Sequence, residues 1–202
     1  YISATWDAVH YADGLYGIPQ DQAPIAMYSR TDILQQHGLK VPTTWDEFYE
    51  EGKKLHEADS SKYMGFIDKN ATKQWSTWYR QAGVKLWDVP SATSVSLNMN
   101  SDSVKTVSDF LQKCIDDGVL EPVATGTDEF NRDIGEGRYA TWIDENWRGN
   151  LIKQQYPDLS GKYTVTLPPA WGTSTDDLKT ASGGSMLAIA NAIPVEKRAA
   201  AI

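Results

Sequence analysis

Seven consecutive residues, 142–148, read WIDENWR and combine two tryptophans, two carboxylates, an amide and an arginine. The carboxylates of Asp144 and Glu145 could act as acid and base, or could accept hydrogen bonds from the hydroxyl groups of a ligand. The indole of Trp147 offers a flat apolar face on which a sugar or another planar ligand can stack. Three interpretations follow: a core strand that runs into a charged turn, a catalytic carboxylate pair, or the floor of a polar ligand site.

Each of these side chains also has a structural interpretation. Asp144 could cap the helix expected after the cluster, Glu145 could favour the dipole of that helix, and Arg148 could simply pair with a carboxylate. A glycoside hydrolase needs two carboxylates on either side of the scissile bond. Since neighbouring residues generally point in different directions, this pair fits binding better than hydrolysis.

The composition excludes several classes of function. The chain of 202 residues carries a net charge of −8, which argues against binding to nucleic acid or to anionic lipid. No run of about eighteen apolar residues predicts a membrane-spanning helix. Cys114 is the only cysteine, and the three histidines lack metal-ligand spacing, so no cofactor is expected.

Helical and strand patterns alternate along the chain. Strands are predicted at 15–18, 25–28, 65–67, 139–143, 163–167 and 186–189, and helices at 31–38, 72–86, 128–135, after Thr44, after Ser101 or Ser103, and after Pro194. This order predicts an α/β domain with a mainly parallel or mixed sheet covered by helices. Ligands bind such sheets at the carboxyl ends of strands, which is where residues 142–148 are expected.

The most specific helix start is PTTWDEF at 42–48. The hydroxyl of Thr44 can accept the N–H of Glu47, and the Glu47 carboxylate can reach back to Thr44. This is the pattern of a capping box.

Several motifs follow one another in a characteristic order. They read DGLYGIP at 13–19, AMYSRTDIL at 26–34, PTTWDEF at 42–48, FNRDIGEGRYA at 130–140, LPP at 167–169 and GGSMLAI at 183–189. In this order and spacing, the chain resembles the extracellular solute-binding proteins of ABC importers, in particular the sugar-binding family that includes maltose-binding protein.

The resemblance implies a type II periplasmic-binding-protein-like fold in which two lobes close on a solute. It also implies an incomplete chain, because family members are roughly twice as long. Residues 23–182 would form the second lobe, a mixed sheet flanked by helices. Residues 1–22 and 183–202 would be the segments that cross to and from the first lobe.

The resemblance assigns site roles to two tryptophans. Trp147 occupies the position at which a family aromatic residue often stacks on a sugar. Trp75 lies near another aromatic position that reaches the cleft, whereas Trp78, one helical turn later, is expected in the core together with Trp142.

The two crossing segments contribute further candidates. In the family, an acidic residue near Asp21 and Gln22 binds a sugar hydroxyl, and Gln22 aligns best with it. Gly183 and Gly184 would let the backbone approach a ligand or flex.

The implied function is that of a carbohydrate-binding component of an ABC importer, which captures a mono- or oligosaccharide and performs no chemistry. Its partners would be membrane permease subunits, and the lobe is expected to be monomeric. We expect an extracellular protein anchored by a lipidated N-terminus that this chain lacks, or a periplasmic one. The alternatives are a glycoside hydrolase that uses Asp144 or Glu145, and a binding protein for a non-sugar polar solute.

Overall fold

The computed structural model describes residues 3–172 and 181–201. The chain divides into two compact units, one formed by residues 24–182 and the other by residues 1–23 and 183–202. The helices are α1 Ser3–Asp7, α2 Thr31–Gln36, α3 Trp45–Ala58, α4 Thr72–Gln81, α5 Asp102–Asp116, α6 Asp128–Glu136, α7 Arg148–Gln155 and α8 Val195–Ala201, with a 3₁₀ turn at Pro157–Leu159. The strands are β1 His10–Tyr11, β2 Gly14–Leu15, β3 Ile18–Arg30, β4 Gly65–Asp68, β5 Trp87–Ser91, β6 Ser94–Leu97, β7 Leu120–Val123, β8 Thr141–Glu145, β9 Tyr163–Thr166 and β10 Ala181–Leu187.

The larger unit combines antiparallel and parallel strand pairs. The second half of β3 pairs antiparallel with β8 and with β9, while β4 and β7 pair in parallel. The N–H of Thr141 at the start of β8 donates to the carbonyl of Met64, just before β4, at 2.8 Å. The carboxyl ends of β4 and β8 are thereby held side by side, and the predicted mixed sheet with flanking helices is confirmed.

Aromatic side chains dominate both cores of the larger unit. In the first core, Trp45, Phe48 and Trp78 are fully buried beneath α3, α4 and α5. The second core packs Phe66, Phe130, Tyr139 and Trp142 between β4, α6 and β8. Trp78 and Trp142 are therefore buried, as the sequence predicted.

Helix capping follows the sequence with one difference. Thr44, Ser101 and Thr127 each accept the backbone N–H three residues ahead. The Glu47 carboxylate, however, binds the N–H and the hydroxyl of Thr43, at 2.8 and 2.7 Å, and not Thr44 as predicted. Hydrogen bonds from Lys40 and Thr43 lower the pKa of Glu47 to about 2, so this carboxylate is ionised and binds both residues to the start of the helix.

The sequence-based strand boundaries were wrong at β3. Two short strands were predicted, at 15–18 and 25–28, but Ile18–Arg30 is one strand of 13 residues. Proline fits extended backbone, and the ladder with β8 begins only at Ile25, after both Pro19 and Pro24. Neither proline therefore has to donate a hydrogen bond in that ladder.

Three other boundaries also differ. Helix α4 ends at Gln81 and not at residue 86, because the chain turns at Gly83 with φ +75°. Strand β8 runs two residues further than predicted, to Glu145. Strand β10 begins at Ala181, so Gly183 and Gly184 lie within the strand and not in a turn before it.

Candidate ligand-binding site

A cavity of about 430 Å³ opens in the larger unit where β8 passes into α7. Its other walls are the first turn of α4, the loops that follow β4 and β7, and the start of α6. The carboxyl ends of β4, β7 and β8 thus lie at one cavity, which is where ligands bind in α/β folds. The cluster at residues 142–148 forms one wall, in agreement with its predicted place.

Asp144 and Glu145 are the last two residues of β8 and not part of the turn that follows. The N-cap position of α7 is Trp147, and no side chain caps the helix there. The helix-capping interpretation of Asp144 is therefore wrong. Pairing with β3 extends β8 as far as Glu145, which places Asp144 within the strand.

Glu145 is an almost fully buried carboxylate, with 2% of its surface exposed. It forms an ion pair with the ammonium of Lys73 in the first turn of α4. One turn later in α4, Thr77 donates its hydroxyl to the hydroxyl of Ser182 at 3.2 Å. Glu145 consequently joins β8 to α4 at the base of the cavity.

The two carboxylates differ in electrostatics because they have different neighbours. Burial raises the pKa of Asp144 to about 6, and its hydrogen bond with Glu145 adds to this, while the Arg148 guanidinium opposes it. Burial also works against an ionised Glu145, but hydrogen bonds from Asp144, Lys73 and Ser182 outweigh it and lower that pKa to about 2. The Lys73 ammonium therefore favours the ionised form of Glu145, whereas burial favours the protonated form of Asp144.

Arg148 connects Asp144 to both tryptophans of the cluster. Its Nε donates to Asp144 Oδ2 at 2.6 Å. Its Cζ lies 4.4 Å from the ring centroid of Trp142 and 4.5 Å from that of Trp147. Trp142 is buried, whereas Trp147 is 43% exposed and lines the cavity. The site thus presents one open aromatic face beside a group of ionised and polar side chains.

The model for the family of bacterial extracellular solute-binding proteins matches residues 1–201 of the chain. The chain belongs to this family. The sequence-based resemblance is therefore confirmed.

Relatives of this solute-binding protein include sugar-binding proteins of bacteria. The lactose-binding protein of Rhizobium radiobacter is 26% identical over 175 residues, which cover 85% of the chain and 40% of the relative. The binding protein of B. animalis subsp. lactis Bl-04, in complex with β-1,6-galactobiose, superposes with a TM-score of 0.84 at 24% identity and covers 100% of this chain and 49% of that one. The galacto-N-biose-/lacto-N-biose I-binding protein of Bifidobacterium longum, in complex with lacto-N-biose, gives 0.80 at 21% identity, with 98% and 49% covered.

These matches confirm the predicted type II periplasmic-binding-protein fold. The chain spans about half the length of the relatives that it matches, from 40% of the lactose-binding protein to 49% of the two solved structures.

The far wall of the cavity in this solute-binding protein was not predicted. Asp68, the last residue of β4, accepts the hydroxyl of Thr125 at 2.5 Å and the N–H of Asn70 at 2.9 Å. Gln74 accepts the N–H of Asp68 at 2.7 Å and donates to the carbonyl of Phe66 at 3.2 Å. The rule that singled out residues 142–148, the carboxyl end of a strand, would have found Asp68 had it also been applied to the strand predicted at 65–67.

The remaining predicted residues lie elsewhere. Trp75 packs edge-on against Tyr79, with ring centroids 5.8 Å apart, and against the first core; it is not part of the cavity lining. In the smaller unit, the Asp21 carboxylate accepts the N–H and the hydroxyl of Ser185 at 2.6 and 2.7 Å. A Cβ on Gly184 would lie 2.8 Å from the Asp21 carbonyl oxygen.

Gln22 and Gly183 lie on the same two strands, β3 and β10, which pair with each other. Because a Cβ at position 184 would collide with the Asp21 carbonyl oxygen on β3, glycine at this position permits the close approach of the two strands. The ligand-binding roles of Asp21, Gln22, Gly183 and Gly184 stay predictions.

The described residues, 3–172 and 181–201, form neither a metal site nor a reactive thiol. Within these ranges, no group of three His, Cys, Asp or Glu side chains is arranged to hold a metal ion, and no helix is long and apolar enough to cross a membrane. Cys114 lies on the buried face of α5, and burial raises the pKa of its thiol to about 12. The buried thiol is therefore a packing residue and not a nucleophile.

Proposed function

We propose that the parent protein is a carbohydrate-binding component of an ABC importer and that the described cavity binds one part of a mono- or oligosaccharide. The observation that carries this proposal is the open face of Trp147 beside Asp144, Glu145 and Asp68. Sugars combine apolar C–H faces with hydroxyl groups, and they therefore need an aromatic surface and hydrogen-bonding groups in the same place.

The size of the cavity and the relatives support the same proposal. About 430 Å³ lies within the range of roughly 300–1,000 Å³ that small-molecule sites occupy. The lactose-binding relative and the complexes with β-1,6-galactobiose and lacto-N-biose suggest short oligosaccharides as the first ligands to test.

We further propose binding without turnover. Asp144 and Glu145 are neighbours on one strand, and each is held by its own cation, Arg148 or Lys73. A hydrolase instead places two carboxylates across a scissile bond, about 5 Å or more apart, with room for the sugar between them. Incubation with nitrophenyl glycosides should release no nitrophenol above a buffer control; release that Asp144→Asn abolishes would favour the hydrolase.

The remaining parts of the proposal concern the whole protein. Residues 23–182 would form the second lobe, and the division of the chain after Ala23 and after Ser182 supports this. Permease subunits of an importer would be its membrane partners, and the protein would work outside the cytoplasmic membrane, in the periplasm or on a lipid anchor. Membership of the extracellular solute-binding family supports this location.

A thermal-shift screen of the full-length protein tests the proposal. The panel contains lactose, β-1,6-galactobiose, lacto-N-biose and maltose. At a hundredfold excess over Kd, a bound ligand adds about 2.7 kcal/mol to the free energy of unfolding and therefore raises the Tm. Trp147→Ala should lose the shift. Trp87→Ala is the matched control, because Trp87 is a half-exposed tryptophan of β5 that does not line the cavity.

The possible outcomes lead to different conclusions. A shift that survives Trp147→Ala would keep the function and remove the stacking role. A shift lost in both variants would indicate a general loss of stability. No shift with any sugar would contradict the proposal and direct the screen to amino acids, peptides and polyamines.

A further inference from the structure

We propose that Arg148 is a positioning residue: stacked on buried Trp142 and held by Asp144, it fixes the orientation of the Trp147 ring at the cavity. The effect on sugar affinity rests on the proposed function, whereas the effect on the Trp147 ring can be measured without any ligand.

The arrangement begins with a fixed ring. Trp142 is buried and meets Phe66 and Phe130 edge-on, with ring centroids 5.5 and 5.6 Å apart. The Arg148 guanidinium lies over this ring at 4.4 Å and over the Trp147 ring at 4.5 Å. Arg148 thus connects a side chain that the core holds in place to one that is 43% exposed.

Asp144 holds Arg148 from a third direction. Its Oδ2 accepts the Nε hydrogen at 2.6 Å, and its Oδ1 accepts the backbone N–H of Glu145 at 2.8 Å. A guanidinium is planar, so it can stack through its faces while it donates hydrogen bonds from its edge. A lysine ammonium is a point charge without faces and could not do both.

These contacts occupy the faces and the Nε edge of the Arg148 guanidinium, although Arg148 also lines the cavity. Its side chain is 20% exposed, two indole rings contact the guanidinium, and its Nε is occupied by Asp144. The Trp147 ring, in contrast, is 43% exposed, and the Arg148 guanidinium lies 4.5 Å from its centroid. We therefore assign Arg148 a role that acts through this contact with Trp147.

The first test is ¹⁹F NMR of the full-length protein labelled with 5-fluorotryptophan, without ligand. Trp147→Phe identifies the Trp147 resonance. In Arg148→Met, which keeps the length of the side chain, this resonance should move toward the position of a solvent-exposed tryptophan and sharpen. In Arg148→Lys the Trp147 resonance should shift and sharpen less than in Arg148→Met, because a positive charge remains over the ring. Arg132→Met, at an exposed arginine of α6, is the matched control and should leave the resonance unchanged.

The second test uses the sugar that the thermal-shift screen identifies. Arg148→Met should weaken its binding by roughly 3- to 30-fold, the range expected for loss of a cation–π contact. If Arg148 acts only through Trp147, the double variant Arg148→Met/Trp147→Ala should bind no more weakly than Trp147→Ala alone. Losses that add would overturn the proposal, because they would mean that Arg148 contacts the sugar itself.

The two tests fail independently. An unchanged Trp147 resonance in Arg148→Met refutes the positioning role whether or not a sugar binds. A shifted resonance in a protein that binds no sugar supports the positioning role and contradicts the proposed function instead.

Discussion

Replacing Glu145 by glutamine should destabilise the protein more than replacing its neighbour Asp144 by asparagine. The folded protein lowers the pKa of Glu145 from 4.5 to about 2. Removing one charge of a buried ion pair costs about 3 kcal/mol or more, and Glu145, 2% exposed, is the buried member of its pair with Lys73. Because the ammonium of Lys73 is 56% exposed and therefore partly screened by water, we expect a loss of about 2 kcal/mol at pH 7.

Asp144→Asn is the matched control, one residue earlier on the same strand. Burial raises the pKa of Asp144 to about 6, so its negative charge at pH 7 opposes folding. The gain from removing that charge offsets the loss of the hydrogen bond to Arg148. We therefore expect the free energy of unfolding to change by no more than about 1 kcal/mol in either direction.

The pH dependence of the two groups has opposite signs. Since the pKa of Glu145 is lowered, its contribution is complete above about pH 4.5 and is lost as the pH falls toward 2. Since the pKa of Asp144 is raised, the folded protein takes up a proton there first, and lowering the pH from 7 to 5 stabilises the wild type relative to Asp144→Asn.

Urea unfolding followed by circular dichroism at pH 7 and pH 5 measures both effects. Glu145→Gln should have a lower urea midpoint than the wild type at both pH values. The difference in midpoint between the wild type and Asp144→Asn should change from pH 7 to pH 5. If Glu145→Gln were as stable as the wild type, or if both substitutions cost the same, the unequal electrostatics assigned to the pair would be refuted.

Three further predictions concern the frame of the larger unit. Cys114, with a buried thiol of pKa about 12, should not react with Ellman's reagent at pH 8 until urea unfolds the protein; rapid reaction of the native protein would contradict its burial. Thr44→Ala should lower the free energy of unfolding by about 1 kcal/mol in urea titrations, because the N–H of Glu47 loses its cap, and an unchanged midpoint would argue against that cap. Gly137→Ala should destabilise by about 1–2 kcal/mol, since φ is +77° and the new Cβ would meet Ile33 Cδ1 at 3.0 Å. Gly161 has a similar φ of +80°, but no atom lies where its Cβ would be, so Gly161→Ala should lower the free energy of unfolding by less than Gly137→Ala. Equal losses of stability would show that the contact with Ile33 is unimportant.

Local signals in the sequence located the helices well. Helices α3, α5 and α6 begin after Thr44, Ser101 and Thr127, whose hydroxyls are caps. Such signals lie within a few residues of the feature that they specify. Strand limits depend on partners far along the chain: β3 extends to Arg30 because it pairs with β8 and β9, both more than a hundred residues later.

The candidate site was predicted in part for the same reason. Residues 142–148 could be found because the chemistry is contiguous in the sequence. Lys73 and Asp68 join them only through the packing of α4 and β4 beside β8, and no spacing of residues in the sequence indicates this contact. The hairpin of β5 and β6 was missed as well, since its apolar residues are exposed and have no periodic core face.

The tryptophans of the first core have an optical consequence. The ring of Trp45 lies 5.3 Å from that of Trp78 and 5.3 Å from that of Trp171. Indoles this close exchange excitation energy, so these three should give one coupled band in near-ultraviolet circular dichroism. That band depends on fixed packing and should vanish when the core loosens, whereas the emission colour of Trp147 should follow its contact with solvent. The chain therefore carries two separate spectroscopic reporters, one for the integrity of its core and one for the environment of its cavity.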